Sequence, residues 1–197
     1  MSRISDLLFQ ARMLKAIPRS GFGFLGAGRE SVADHCFSTA FIAFVMSCME
    51  PQIDALRLIS MSLVHDLTEA RIGDLNSVQK EYVTADEAKA LDDTVSDLPF
   101  GDTLAGLIDE YEANRSPEAR LAHDADQLAL ILDLKALSDL GYQSPSKWLP
   151  PVVRRLRTES GKQLAEEILK TEWDAWWLDR LLLLEQEIRV DRKHPNS

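Results

Sequence analysis

The sequence predicts an all-α protein, on three observations. No stretch reads as a strand. Apolar residues recur at three- and four-residue spacings almost throughout. Start and stop signals also bracket the apolar runs, as with Ser116-Pro117 before the longest and Gly141 after it. At 197 residues the chain suits one domain with a real hydrophobic core, and no repeat, low-complexity tract or linker divides it.

The elements follow in order. Ser5 to Ala16 reads as a first helix, ended by Ile17-Pro18-Arg19-Ser20-Gly21, since Pro disfavours helix at and just before its own position. Four glycines between Gly21 and Gly28 predict an irregular loop. Ser31 to Met49 is apolar nearly all round and is expected at the bundle centre. Pro51 opens a third helix reaching about Asp66, and Gly73 breaks the pattern. Thr84 to Ser96 is charged and reads as an exposed helix behind a capping box, Thr84-Ala85-Asp86-Glu87. Helices then follow over Gly101 to Asn114 and from the Ser116 cap to Leu140. The last two run from Pro145 to Glu159 and from Gly161 into a basic tail.

The formal net charge of −10, with 45% hydrophobic residues, excludes two default classes. A general nucleic-acid binder carries a basic face, and a protein of anionic membrane surfaces is also basic. Cys36 and Cys48 are too few for a disulfide framework or a structural zinc site, and read as buried small hydrophobes. Met1 to Gln10 lacks a signal-peptide core, and the apolar stretch Thr39–Met49 is short for a bilayer span. The expectation is a cytoplasmic protein.

Three segments place ionisable groups inside apolar helical sequence: Glu30-Ser31-Val32-Ala33-Asp34-His35, then Leu63-Val64-His65-Asp66-Leu67-Thr68-Glu69-Ala70 with Gly73-Asp74, and Ala122-His123-Asp124-Ala125-Asp126-Gln127-Leu128. Burying such groups costs several kcal/mol unless they are paired or bound to a metal. One divalent ion shared by three converging segments would meet that cost. Two His and two Asp suit Zn²⁺, Co²⁺, Mn²⁺ or Ni²⁺. Glu69, four residues after His65 and three after Asp66, can share their helical side and take a proton from water on the ion. Taken singly, each piece has a structural explanation: a hydrogen-bonded core His35, an Asp74 cap, a solvated face at His123, Asp124 and Asp126.

Together, His35, the His65-Asp66 pair and a distant Asp126 resemble the HD-domain metal-dependent phosphohydrolases. Leu14-Lys15-Ala16-Ile17-Pro18-Arg19-Ser20-Gly21, Glu30 to His35 and Leu63 to Ala70 narrow the match. They look like the 5'-deoxynucleotidase branch, with its bacterial enzymes and its archaeal and eukaryotic relatives. The resemblance covers roughly Leu7 to Leu169. It implies one helical bundle of the HD type over 1–197, with a core of about 7–170 and a C-terminal helix and basic tail of about 171–197.

By that resemblance His35, His65, Asp66 and Asp126 hold one divalent metal ion (Co, Mn, Zn, Ni or Mg), with Asp124 the alternative fourth ligand. Glu69 and Asp74 orient or activate the attacking water, and Arg19 binds the phosphate. Lys80 would add positive charge from the segment after Asp74; an exposed surface lysine is the plainer reading. The bacterial enzymes follow their arginine with Trp, whereas Ser20-Gly21-Phe22 stands here, which leaves deoxyribose against ribose open. The implied reaction removes the 5'-phosphate of (deoxy)nucleoside monophosphates. The alternatives are a nucleoside triphosphate hydrolase or another phosphoester hydrolase of the same fold, and a non-catalytic nucleotide-binding protein. The expected partner is a small-molecule nucleotide. A homodimer is also expected from the resemblance; Trp173, Trp176 and Trp177 read either as bundle packing or as its contact.

Overall fold

The structure is a computed structural model that describes residues 2–178, 180, 181 and 183. Among these, helices follow one another: α1 (Ser2–Met13), α2 (Gly21–Leu25), α3 (Val32–Met49), α4 (Ala55–Val64), α5 (Glu69–Ile72), a 3-10 turn at Gln79–Glu81, α6 (Glu87–Val95), α7 (Gly101–Ala113), α8 (Pro117–Asp139), α9 (Pro145–Val153) and α10 (Glu159–Lys170). No named strand occurs among the described residues; the one isolated bridge joins Pro18 to Ser31. Most of the C-terminal helix and basic tail expected from the sequence lies outside the described residues.

Helix α3 starts at a reciprocal cap: the Ser31 hydroxyl accepts the Asp34 N–H, and the Asp34 carboxylate accepts the Ser31 N–H. It packs against α4 and α8, which also pack on each other, so these three helices form the framework of the site. Val32 and Cys36 belong to one apolar cluster with Leu14, Leu67, Leu104 and Ile108. Ala43 and Met46, further along, belong to a second with Leu58, Met61, Leu128 and Ile131. His35, within the first of these stretches, and Thr39, between the two, are fully buried. Truncating a buried leucine such as Leu58 to Ala costs about 2–5 kcal/mol.

Several sequence expectations are corrected. The glycine-rich segment is not wholly irregular, because Gly21–Leu25 form a short helix ended by Gly26 in the left-handed region. The third helix is opened by Asp54, whose carboxylate accepts the Arg57 N–H, and Pro51 lies in the preceding turn. Asp86 rather than Thr84 caps α6. The helix from Pro145 stops at Val153, and Glu159 instead begins α10 behind the Thr158 cap. Cys36 is buried but Cys48 is exposed. Helix α3 is long and apolar enough in composition to cross a membrane; it is not enclosed all round, since Phe37, Phe41 and Phe44 face outward. Trp176 is 82% exposed, so it does not pack into the bundle.

Candidate active site

His35 comes from the second turn of α3, His65 and Asp66 from the turn directly after α4, and Asp126 from the middle of α8. Helix packing, rather than proximity in the chain, brings them together. His35 Nε2 lies 3.0 Å from Asp126 Oδ1 and 3.9 Å from Asp66 Oδ2, and His65 Nε2 lies 3.3 Å from Asp66 Oδ2. His65 Nδ1 is 2.9 Å from the Ser62 carbonyl, which orients the ring through one nitrogen and leaves buried Nε2 without a hydrogen-bond partner. An orphaned imidazole nitrogen facing carboxylates is what a divalent metal site requires of its donors. His35, His65 and Asp126 offer ligand atoms within 4.8 Å of one another, and so form a grouping that could hold a metal ion. Cys36, His65 and Asp66 form an overlapping group; burial, with Asp66 and Glu69 nearby, pushes the Cys36 thiol up and keeps it neutral.

The structure separates Asp124 from Asp126. Asp124 is buried and faces the α9–α10 junction, where it accepts the N–H groups of Arg157 and Thr158 and the Thr158 hydroxyl. A Cβ on Gly161 would lie 2.4 Å from Asp124 Oδ2, so only glycine fits this turn without displacement. Asp126 faces the histidines instead, with its Oδ2 accepting the Gln127 side-chain amide at 2.8 Å. Burial alone would raise Asp126, but His35, His65 and Arg19 hold it well below the usual carboxylate range. His123 stacks on Tyr111 at 4.0 Å between ring centroids and sits 2.9 Å from the Tyr111 carbonyl, a structural placement.

Arg19 reaches the cluster from the loop after α1. That loop is clasped to the start of α3 by two backbone bonds, Arg19 N–H to Glu30 O and Val32 N–H to Ile17 O, each 2.9 Å. Its guanidinium Nη1 lies 3.2 Å from Asp66 Oδ2, and its Nε lies 3.8 Å from Asp74 Oδ2. Burial opposes the charge on Arg19, yet the surrounding Asp66, Asp126, Asp74 and Glu69 raise its pKa overall. Asp74 also accepts the Ser20 N–H at 2.8 Å, tying the segment after α5 to the arginine loop. Gly73 makes this geometry possible: at φ 76° and ψ 163° it occupies backbone space essentially reserved for glycine.

Glu69 begins α5 and presents a buried Oε2 with no hydrogen-bond partner. Burial and then the neighbouring Asp66 and Asp74 push its carboxyl up to about 9, while Arg19 and Lys80 pull it down. Lys80 itself is exposed in the 3-10 turn and acts on Glu69 as a nearby charge. Sequence reading missed the aromatic cavity beside Arg19 and Asp74. It has a volume of about 590 Å³ and is lined by Phe22, Phe24, Leu130 and Trp148, with Lys147 and Arg155 at its edge. No spacing signal joins Phe22 to Trp148; only tertiary packing does.

A helical bundle that gathers two histidines and a carboxylate into a potential metal site defines a class, and comparison identifies it. The family model described as HD domain matches residues 11–168, and the chain belongs to that family. It is similar to the 5'-deoxynucleotidase HDDC2 of Homo sapiens, at 31% identity over 136 residues, covering 66% of this chain and 66% of the relative. A 5'-deoxynucleotidase of Schizosaccharomyces pombe is 30% identical over 131 residues, covering 61% of this chain and 65% of the relative. The chain thus spans about two thirds of the length of these curated relatives. In structure it resembles a conserved hypothetical protein from Pyrococcus furiosus, with a TM-score of 0.72, 29% identity, and coverage of 84% of this chain and 99% of that one.

Proposed function

We propose that the protein is a metal-dependent phosphohydrolase that removes the 5'-phosphate from (deoxy)nucleoside monophosphates. The observation that carries this reading is the position of Arg19, held 3.2 Å from Asp66 at the edge of the His–Asp cluster. It puts a bidentate phosphate donor beside four potential metal ligands, His35, His65, Asp66 and Asp126. The names of the similar 5'-deoxynucleotidases support the substrate class.

His35, His65, Asp66 and Asp126 would hold a divalent ion, which would supply Lewis-acid polarisation of a phosphoryl oxygen and acidify water. Arg19 orients the phosphate through its outer guanidinium edge. Glu69, with its free buried oxygen, orients the water and receives its proton. Asp74, anchored by the Ser20 amide, stands ready to serve the leaving nucleoside oxygen. Lys80 adds positive charge from the rim. The cavity lined by Phe22 and Trp148 takes the nucleoside, its volume lying in the usual range for small-molecule sites.

The deciding experiment incubates metal-loaded protein with ribo- and deoxyribonucleoside mono-, di- and triphosphates and follows release of phosphate, pyrophosphate and triphosphate. Phosphate from 5'-monophosphates is expected. Asp66→Ala should lose both bound metal and activity while keeping its helical circular dichroism. Pyrophosphate or triphosphate as the main product, or turnover by metal-stripped Asp66→Ala, would overturn the reading. The expected homodimer is supported by the outward stripe of Phe37, Phe41 and Phe44 on α3, where the first two rings stack 6.3 Å apart. Sedimentation equilibrium of wild type and Phe41→Glu tests it, and a monomeric wild type would sink it.

A further inference from the structure

We infer that Glu30 is a positioning residue that links a metal-ligand histidine to the phosphate-binding arginine, an inference resting on the metal-site reading above. The Glu30 side chain is only 9% exposed, and its Oε2 lies 4.0 Å from His35 Nδ1 and 3.9 Å from Arg19 Nε. His35 Nδ1 is buried and has no hydrogen-bond partner. The Glu30 carboxyl also neighbours that of Asp133 of α8, and burial together with this second carboxylate favours a proton on Glu30. The backbone joins the same arrangement, since the Glu30 carbonyl accepts the Arg19 N–H at 2.9 Å. The proposed reaction gives neither Glu30 nor Asp133 a task.

The geometry has a direct chemical use. A histidine that offers Nε2 to a metal carries its proton on Nδ1, and an acceptor placed behind that proton fixes tautomer and ring orientation. Glu30 Oε2 is placed as that acceptor. The gap of 4.0 Å exceeds a hydrogen bond, so the Glu30 carboxyl must turn toward His35 to accept its proton. The same oxygen faces Arg19 Nε, which turns the outer edge of the guanidinium toward the cluster. Asp133 lies close enough to act on Glu30 and can accept a proton shared with its carboxyl. Glutamine can reproduce the set, with its carbonyl accepting from His35 and its amide donating to Asp133; alanine cannot.

The test is a Co²⁺ titration of the full chain followed by absorption, with KM measured for deoxyadenosine 5'-monophosphate. Glu30→Ala should bind Co²⁺ about 10–100-fold more weakly and show a raised KM, and Glu30→Gln should restore both toward wild type. Unchanged Co²⁺ affinity in Glu30→Ala, or Glu30→Gln as weak as alanine, would overturn the inference. A purely structural role would lower the melting temperature of Glu30→Ala yet leave Co²⁺ affinity of its folded fraction intact. Should Glu30→Ala not fold, imidazole ¹⁵N spectra of Zn²⁺-loaded wild type carry the test. His35, assigned through His35→Gln, must show a protonated Nδ1 and a metal-bound Nε2, and the reverse tautomer overturns the inference. Failure of wild type to bind either ion removes the metal-site reading and this one together, whereas unchanged affinity in Glu30→Ala removes this one alone.

Discussion

Asp126 Oδ1 stands 3.0 Å from His35 Nε2, joining the middle of α8 to the second turn of α3. Two residues earlier on α8, Asp124 faces the opposite way and holds the turn into α10. The two aspartates therefore have separable consequences. Asp126→Ala should abolish metal binding with little loss of stability. Asp124→Ala should destabilise the fold by about 3 kcal/mol, because it strands two backbone N–H groups and a hydroxyl, and its folded fraction should still bind metal. Urea denaturation beside metal analysis checks both, and the reverse pattern would reassign the ligand.

Glu69 makes the metal-free protein sensitive to alkali. Its folded pKa, raised to about 9 from an ordinary 4.5, means that the native state holds a proton the unfolded chain releases. The stabilisation is fully present below the unfolded value and is lost as pH rises through the folded one. The melting temperature of chelator-treated wild type should therefore fall across about pH 5 to 9. Glu30, pushed up to about 8 by burial and Asp133, adds to the slope. Glu69→Gln should flatten it, keep bound metal and lose most turnover. A wild-type slope unchanged by this substitution would contradict the assignment.

Gly73→Ala should show how far Asp74 depends on the backbone before it. The glycine-only conformation makes alanine cost about 1–3 kcal/mol. Relief of that strain would pull Asp74 from the Ser20 amide and lower kcat. Thermal melts together with steady-state kinetics measure the two effects, and a variant with wild-type kcat would show that Asp74 needs no such anchor.

Trp148→Ala probes the nucleoside cavity. Loss of a stacking surface worth about 1–3 kcal/mol should raise KM for nucleoside monophosphates roughly tenfold. Hydrolysis of a small phosphate ester without a base should be unaffected. Equal losses on both substrates would place Trp148 in the architecture rather than in recognition.

Much of the site was legible because helical periodicity makes ionisable residues conspicuous in apolar runs. His35 interrupts the apolar face of α3, and His65-Asp66 ends that of α4. The long helix from Pro117 was readable from Ser116, whose side chain does accept the Ala119 N–H. The opening of α4 was less so, because Asp54 outcompeted Pro51 by supplying a side-chain acceptor to the first turn. The break between α9 and α10 was legible, but it was placed too late, at Glu159 to Gly161 rather than after Val153. In the observed break the amides of Arg157 and Thr158 donate to Asp124, a long-range partner with no local signature.

By itself the sequence determined the helical class and the three ionisable segments within apolar helices, because each depends on residue type and local spacing; the particular metal-ligand candidates came from the resemblance those segments carry. The tertiary structure decided which aspartate of Asp124 and Asp126 faces the histidines, how Glu30 stands between His35 and Arg19, and that Phe22 and Trp148 share one cavity. Those relations depend on the azimuth of each helix against its neighbours. Side chains two positions apart on a helix point in widely different directions, and only packing selects the one that meets the site.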